Sequence, residues 1–222
     1  MARREITDKV PWDEAYRQVA YTVDALALAG QDGDEEVGAL GTGLEVVLTG
    51  WEEIEQQRHG RLRELGRALA LVKRRELQAD AAVTALHNDA LAHVKLNRKA
   101  PLFSQLFPDA QSVFERRPLE GLLPELRRME TVLTESETPA PLRGAHLHRI
   151  RRAITRGEEA LREREEALGR ESELTHRIIN WRDEANAALR DTQEKLAAIA
   201  FDRRFGKEWV ETYFPNSLSA TA

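Results

Sequence analysis

Residues 62–90 read LRELGRALALVKRRELQADAAVTALHNDA, and the spacing of their apolar side chains decides the fold class. Leu62, Leu65, Leu69, Val72, Ala79, Val83, Leu86 and Ala90 recur by threes, fours and sevens, a heptad seam that only Glu76 interrupts before His93. This spacing predicts one long helix ending near Asn97. A second seam, Leu147, Ile150, Ile154, Leu161, Leu168, Ile178, Ala185, Leu189, Leu196 and Ile199, interrupted by Gly157, Arg164 and Glu171, predicts another, the long segments being either coiled-coil-like or broken near their glycines. Such helices, about 60 residues long, would reach ~90 Å at 1.5 Å per residue.

Shorter patterns precede each seam. Trp12, Tyr16, Val19, Val23 and Leu26 form one stripe after Pro11, and Leu119, Leu122, Leu126, Met129 and Leu133 form another after Pro118. Gly30 to Asp34 and Thr138 to Pro141 supply the stops. A weak helical start at Glu35 becomes firm around Leu44, because Gly38, Gly41 and Gly43 each cost up to ~1 kcal/mol. No segment alternates with the period of two that a strand needs.

The two halves resemble each other. Pro11, Val19 and Leu26 match Pro118, Leu126 and Leu133 at an offset of 107, as do Leu106, Phe107, Pro108 and Ser112 with Tyr213, Phe214, Pro215 and Ser219. Upstream, Leu96 to Lys99 matches Phe201 to Arg204 at an offset of 105. The expected fold is an all-α, elongated helical bundle of coiled-coil-like hairpins in two tandem halves, residues 1–112 and 113–222, each with a short helix, a long helix and a Phe-Pro closure.

The composition of the 222 residues agrees: 41% hydrophobic, 6% aromatic and 32% charged, poor in aromatics for a β-sandwich or an ordinary α/β enzyme. Without cysteine there is no disulfide scaffold, thiolate zinc site or cysteine nucleophile. No apolar run approaches the ~20 residues of a membrane span, and the opening MARREITDK has no apolar core for a secretory signal, so a cytoplasmic location is expected. Glu173 and His176 have the spacing of a di-iron bundle ligand pair, but no second pair exists. Neither a nucleophile elbow nor a phosphate loop occurs. No catalytic, cofactor-binding or metal-binding residue is therefore assigned, and no enzymatic function is expected.

Charge falls in blocks. Between Gln18 and Gln57 there is no Lys or Arg, whereas Arg143, Arg149, Arg151, Arg152 and Arg156, with His146 and His148, form a stretch without acids. Cations at a helix start are disfavoured by the helix dipole and need an offset. The favoured offset is the acidic stretch from Asp32 to Glu36, or its equivalent in another subunit; the alternative is a bound anion, with Arg149, Arg152 and Arg156 as candidate phosphate ligands. The net charge of −5 disfavours nucleic acid as a partner. Phe103, Phe107, Trp209, Tyr213 and Phe214 are read as closures of the bundle ends or as anchors for a partner, with Ser217 to Ala222 fraying beyond them. The seams are longer than two short helices can cover. A structural or adaptor protein that forms a homo-oligomer, or bridges other proteins, is the expected function; the alternatives are a nucleic-acid-associated helical protein that uses the Arg143 to Arg156 stripe and, behind it, a helical-bundle metal enzyme.

Overall fold

The computed structural model describes residues 6–7, 9–109, 114 and 117–215. The chain is all-helical over these residues: α1 Trp12–Gln31, α2 Glu35–Gly38, α3 Gly41–His93, α4 Pro101–Leu106, α5 Leu119–Thr134, α6 Ala140–Asp202 and α7 Lys207–Glu211. Both long helices are unbroken. α3 runs for 53 residues through Gly50, Gly60 and Gly66, and α6 for 63 through Gly144, Gly157 and Gly169.

Contacts divide the chain into two compact units, one of residues 1–60 and 172–222, the other of residues 61–171. Both boundaries fall inside long helices. The first unit thus contains α1, α2, residues 41–60 of α3, residues 172–202 of α6 and α7; the second contains the rest of α3, α4, α5 and residues 140–171 of α6. These units cut across the halves 1–112 and 113–222 read from the sequence, whose junction lies outside the described residues. Each unit joins the short helix of one half to the closing helix of the other.

The first unit buries Val19, Leu26, Val37, Leu44, Ile54, Leu174, Ala185, Leu196 and Val210 in one cluster. Three of the four tryptophans stack within it. Trp51 lies 6.1 Å from Trp12 and 4.6 Å from Trp181, centroid to centroid, and the Trp181 indole N–H donates to the Val47 carbonyl at 2.8 Å. The Arg182 guanidinium sits 3.9 Å over the Trp12 ring, a cation–π contact at the edge of the stack. Asn186 of α6 takes the Ile6 backbone N–H on its side-chain oxygen and donates its amide to the Ile6 carbonyl, fixing the start of the described chain.

The second unit is aliphatic and phenylalanine-rich, with Val83, Leu86, Leu106, Phe114, Leu122, Leu126, Met129, Leu133 and Ile150 buried. His146 is buried there as well, its Nε2 2.8 Å from Asp89 Oδ2. Gly157 is no interruption of the α6 seam: a Cβ there would meet Leu123 at 3.0 Å and Leu119 at 3.3 Å, so its bareness lets α5 lie close against α6. A similar approach occurs in the first unit, where a Cβ on Gly38 would lie 2.8 Å from the Gly30 Cα.

On α3 the buried line differs from the heptad seam. Ala68 is 5% exposed and Leu69 49%, while Leu62 and Leu77 are 55% and 60% exposed. From Val72 to Ala90 the expected residues, Val72, Ala79, Val83, Leu86 and Ala90, are all buried. The small side chain takes the inner position at 68, and the leucines at 62 and 69 turn outward. Of the α6 seam, Leu168 is exposed and Leu189 buried.

The two units repeat details at the 107-residue offset. Pro11 and Pro118 are both helix N-caps, and the bonds from Ala15 N–H to the Pro11 carbonyl and from Leu122 N–H to the Pro118 carbonyl are equivalent, at 2.9 and 3.0 Å. The Tyr21 hydroxyl donates to the Thr212 carbonyl, and Arg128, 107 residues on from Tyr21, donates to the carbonyl of Gln105, 107 residues before Thr212. The long helices end at a different offset from the 105 of the sequence match. The N–H groups of Leu96 and Phe205 reach back to Leu91 and Ala200, with Lys95 and Arg204 both at positive φ, an offset of 109.

Gly38→Ala is expected to lower stability by about 1–3 kcal/mol, since backbone rather than a yielding side chain stands in the way. Gly66→Ala, in open space on α3, is expected to raise it by up to ~1 kcal/mol through helix propensity. Urea unfolding of both variants checks the pair.

Candidate anion-binding groove

The second unit carries 21 Lys and Arg against 17 Asp and Glu, a formal +4, whereas the first carries 12 against 21, a formal −9. About half of the described arginines in the second unit are engaged. Arg117 reaches Asp109 and Glu125 at 3.0 and 2.7 Å, Arg127 reaches Glu158 at 2.5 Å and Arg151 reaches Glu130 at 2.7 Å. Arg164 pairs with Glu120, and Arg170 with Glu64 at 3.4 Å. Arg143 caps a helix end instead, donating to the carbonyls of Leu133, Glu135 and Thr138 where α5 finishes. There the cation meets the negative end of a helix rather than an acid.

Arg149, Arg152 and Arg156, like Arg63, Arg67, Arg98 and Arg162, are not among the engaged arginines, and they alone of these line one groove. None forms an ion pair or a hydrogen bond among the described residues. Their spacing of three and four places them along one face of α6, where with Arg75, Gln78, Ala81, Ala82 and Ala85 of α3 and Ala153 they line an open groove of about 350 Å³. Arg75 is held by Gln78 at 2.7 Å, a neutral partner that leaves its charge uncompensated. Partial desolvation, followed by the like charges of Arg152, Arg75 and Arg74, pushes the Arg156 guanidinium below its ordinary value. Glu159 opposes that push from the side.

The pairing expected from the sequence, with the acids between Asp32 and Glu36, is not what the first unit contains. Asp34 and Glu36 are taken by Arg203, which bonds both Asp34 oxygens and reaches Glu36 at 2.6 Å. That hydrogen-bonded cation holds the Asp34 carboxyl below its ordinary value. The sequence pattern gave three of the groove's four arginines and missed Arg75. Its signal was the run Lys73-Arg74-Arg75, but nothing linear joins it to residues some 75 positions later.

The aromatic candidates occupy the two cores. In the second unit Phe103 and Phe107 are buried, their rings 5.4 Å apart and both edge-on to His87 at 5.4 and 5.0 Å. In the first, Tyr213 and Phe214 are buried while Trp209 is half-buried between Phe205 and Tyr213, 5.1 Å from each. Phe103, Leu106 and Phe107 correspond at the 107 offset to Val210, Tyr213 and Phe214, and all six are buried. Ser217 to Ala222 lie outside the described residues. Glu173 and His176 are exposed on α6, with His176 Nδ1 2.8 Å from the Ser172 carbonyl, and no group of three potential metal ligands occurs among the described residues. Nor is any described helix long and apolar enough to cross a membrane.

Phe107→Ala is expected to cost about 3–5 kcal/mol, read by urea unfolding. Changing Arg149, Arg152 and Arg156 together to Gln should leave the melting temperature unchanged or raise it at low salt, with the gain fading as salt screens the repulsion. A fall of several degrees would mean that these arginines hold the unit together. Searches of protein-family models, curated proteins and solved structures found no match to this chain.

Proposed function

We propose that this protein is a non-catalytic helical scaffold or adaptor that self-associates, or bridges protein partners, through an uncovered face of α3. The observation that carries this reading is the exposure of Leu62, Leu69 and Leu77 at 55%, 49% and 60%, on a helix that buries Leu44, Val47, Ile54, Val72, Val83 and Leu86. At 100° per residue these three lie within an 80° sector of α3. Leu65, half-buried, extends the same stripe on one side and Arg63 and Arg67 lie beyond its other edge, while Lys73 falls within the sector and pairs with Glu76. Coiled-coil pairing of a second helix along this strip would bury what the single chain leaves wet.

The same reading takes the chain as two tandem copies of one ancestral helical unit. Paired N-caps, equivalent Tyr21 and Arg128 hydrogen bonds and the six equivalent closing residues support it. A duplicated chain that exchanges closing helices between its halves has a direct route to exchanging them between molecules.

Sedimentation velocity over micromolar concentrations is expected to show a dimer or larger species. Changing Leu62, Leu69 and Leu77 together to Ser should weaken association by at least about 100-fold, since each buried Leu contributes about 1.5–3 kcal/mol. Leu189→Glu is the contrasting variant: that side chain is buried within the first unit, so it should unfold the chain rather than merely dissociate it. A monomer at every concentration overturns the reading.

A further inference from the structure

The arginine groove points to a ligand independent of the leucine face. Arg149, Arg152 and Arg156 are exposed or half-exposed without partners, while Arg117, Arg127, Arg128, Arg151 and Arg164 of the same unit each find a carboxylate. A further cation, Arg75, lines the same groove from α3. Gathering like charges opposes folding. Of the nearby acids, Glu158 is turned to Arg127 and Glu76 of α3 to Lys73, and only Glu159, at the end of the stripe, offsets Arg156.

Three properties define what would fill the groove. Every cation is an arginine, whose planar fork binds phosphate with two parallel hydrogen bonds, and none is lysine. The floor consists of Ala81, Ala82, Ala85 and Ala153, small enough for a backbone to approach closely. No aromatic or long aliphatic side chain lines it, so it lacks the stacking platform that unpaired bases use. It lacks equally the apolar anchor pocket of a peptide site and the hydrophobic residues that enter a bilayer. Arg149 to Arg156 cover seven residues of α6, about 10 Å, long enough to meet more than one phosphate of a duplex.

We propose that this groove binds the phosphate backbone of double-stranded nucleic acid, without reading its sequence, using Arg149, Arg152 and Arg156 from α6 with Arg75 from α3. The chain's net charge of −5 confines binding to this unit, the acidic unit being repelled. Contact with about four phosphates makes the affinity fall roughly 100-fold between 50 and 200 mM salt.

The test uses the full chain and a 30-base-pair DNA duplex of mixed sequence, followed by fluorescence anisotropy across that salt range. Wild-type protein should bind at 50 mM salt with the steep dependence given. The triple change of Arg149, Arg152 and Arg156 to Gln should bind more weakly and lose only about 4-fold over the same range. Arg58→Gln, in the first unit, should behave as wild type, and circular dichroism of each variant checks that it is folded. Absence of duplex binding at 50 mM salt overturns the proposal, as does binding that the triple variant retains unchanged. Capture by phosphatidylserine vesicles without duplex binding, or a triple variant altered only in oligomeric state, would assign the groove to a lipid surface or to a second copy and equally overturn it. Loss of self-association with duplex binding intact would sink the leucine-face reading and leave this one standing.

Discussion

A helix of more than 50 residues must find cover for its apolar stripe along its whole length, and the rest of this structure follows from how α3 and α6 meet that demand. Neither short helix is long enough to cover a whole seam, since α1 has 20 residues and α5 has 16. Each long helix therefore contributes to two cores, its stripe covered near one end by the short helix of one half and near the other by the closing helix of its own. The cover is incomplete in the middle of α3, where Leu62 and Leu69 turn outward.

The two cores meet the same geometric problem with different side chains. In the first unit Trp12, Trp51 and Trp181 fill the space, and a buried indole N–H is satisfied by the Val47 carbonyl. In the second, leucines pack against the bare backbone of Gly157, so close approach rather than bulk supplies the dispersion contacts. The helix ends are finished by arginines that act as caps: Arg143 on the last carbonyls of α5, Arg128 on those of α4, and Arg203 on the acids around α2. Arginine in this chain thus does two kinds of work. Where it meets carbonyls or carboxylates it closes a loop, and where it is left in a row it makes an electrostatic surface.

That division separates the legible from the hidden in the candidate site. The row Arg149, Arg152 and Arg156 could be read because all three lie on one helix at helical spacing. Arg143 belonged to the same acid-free stretch, yet its role depends on where α5 ends, a fact about another element. Asp34 and Glu36 of the acidic stretch are likewise taken by Arg203, remote in sequence, rather than by the Arg149 to Arg156 row of the same chain. Phe103, Phe107, Tyr213 and Phe214 could be recognised as residues that water would not tolerate, but their burial became definite only with the helices that cover them.

By itself the sequence determined the helical class, the two short and two long segments and the repeated 107-residue spacing, because helix periodicity, proline caps and glycine stops are local in the chain. Tertiary structure alone decided that Ala68 rather than Leu69 faces inward, since a single helix offers both positions within one stripe and only its neighbours select between them. It also decided that the compact units cut across the halves and that Arg74 and Arg75 stand near Arg156. Contacts between residues 70 to 110 positions apart are set by which helices pack together, and no local periodicity carries that information.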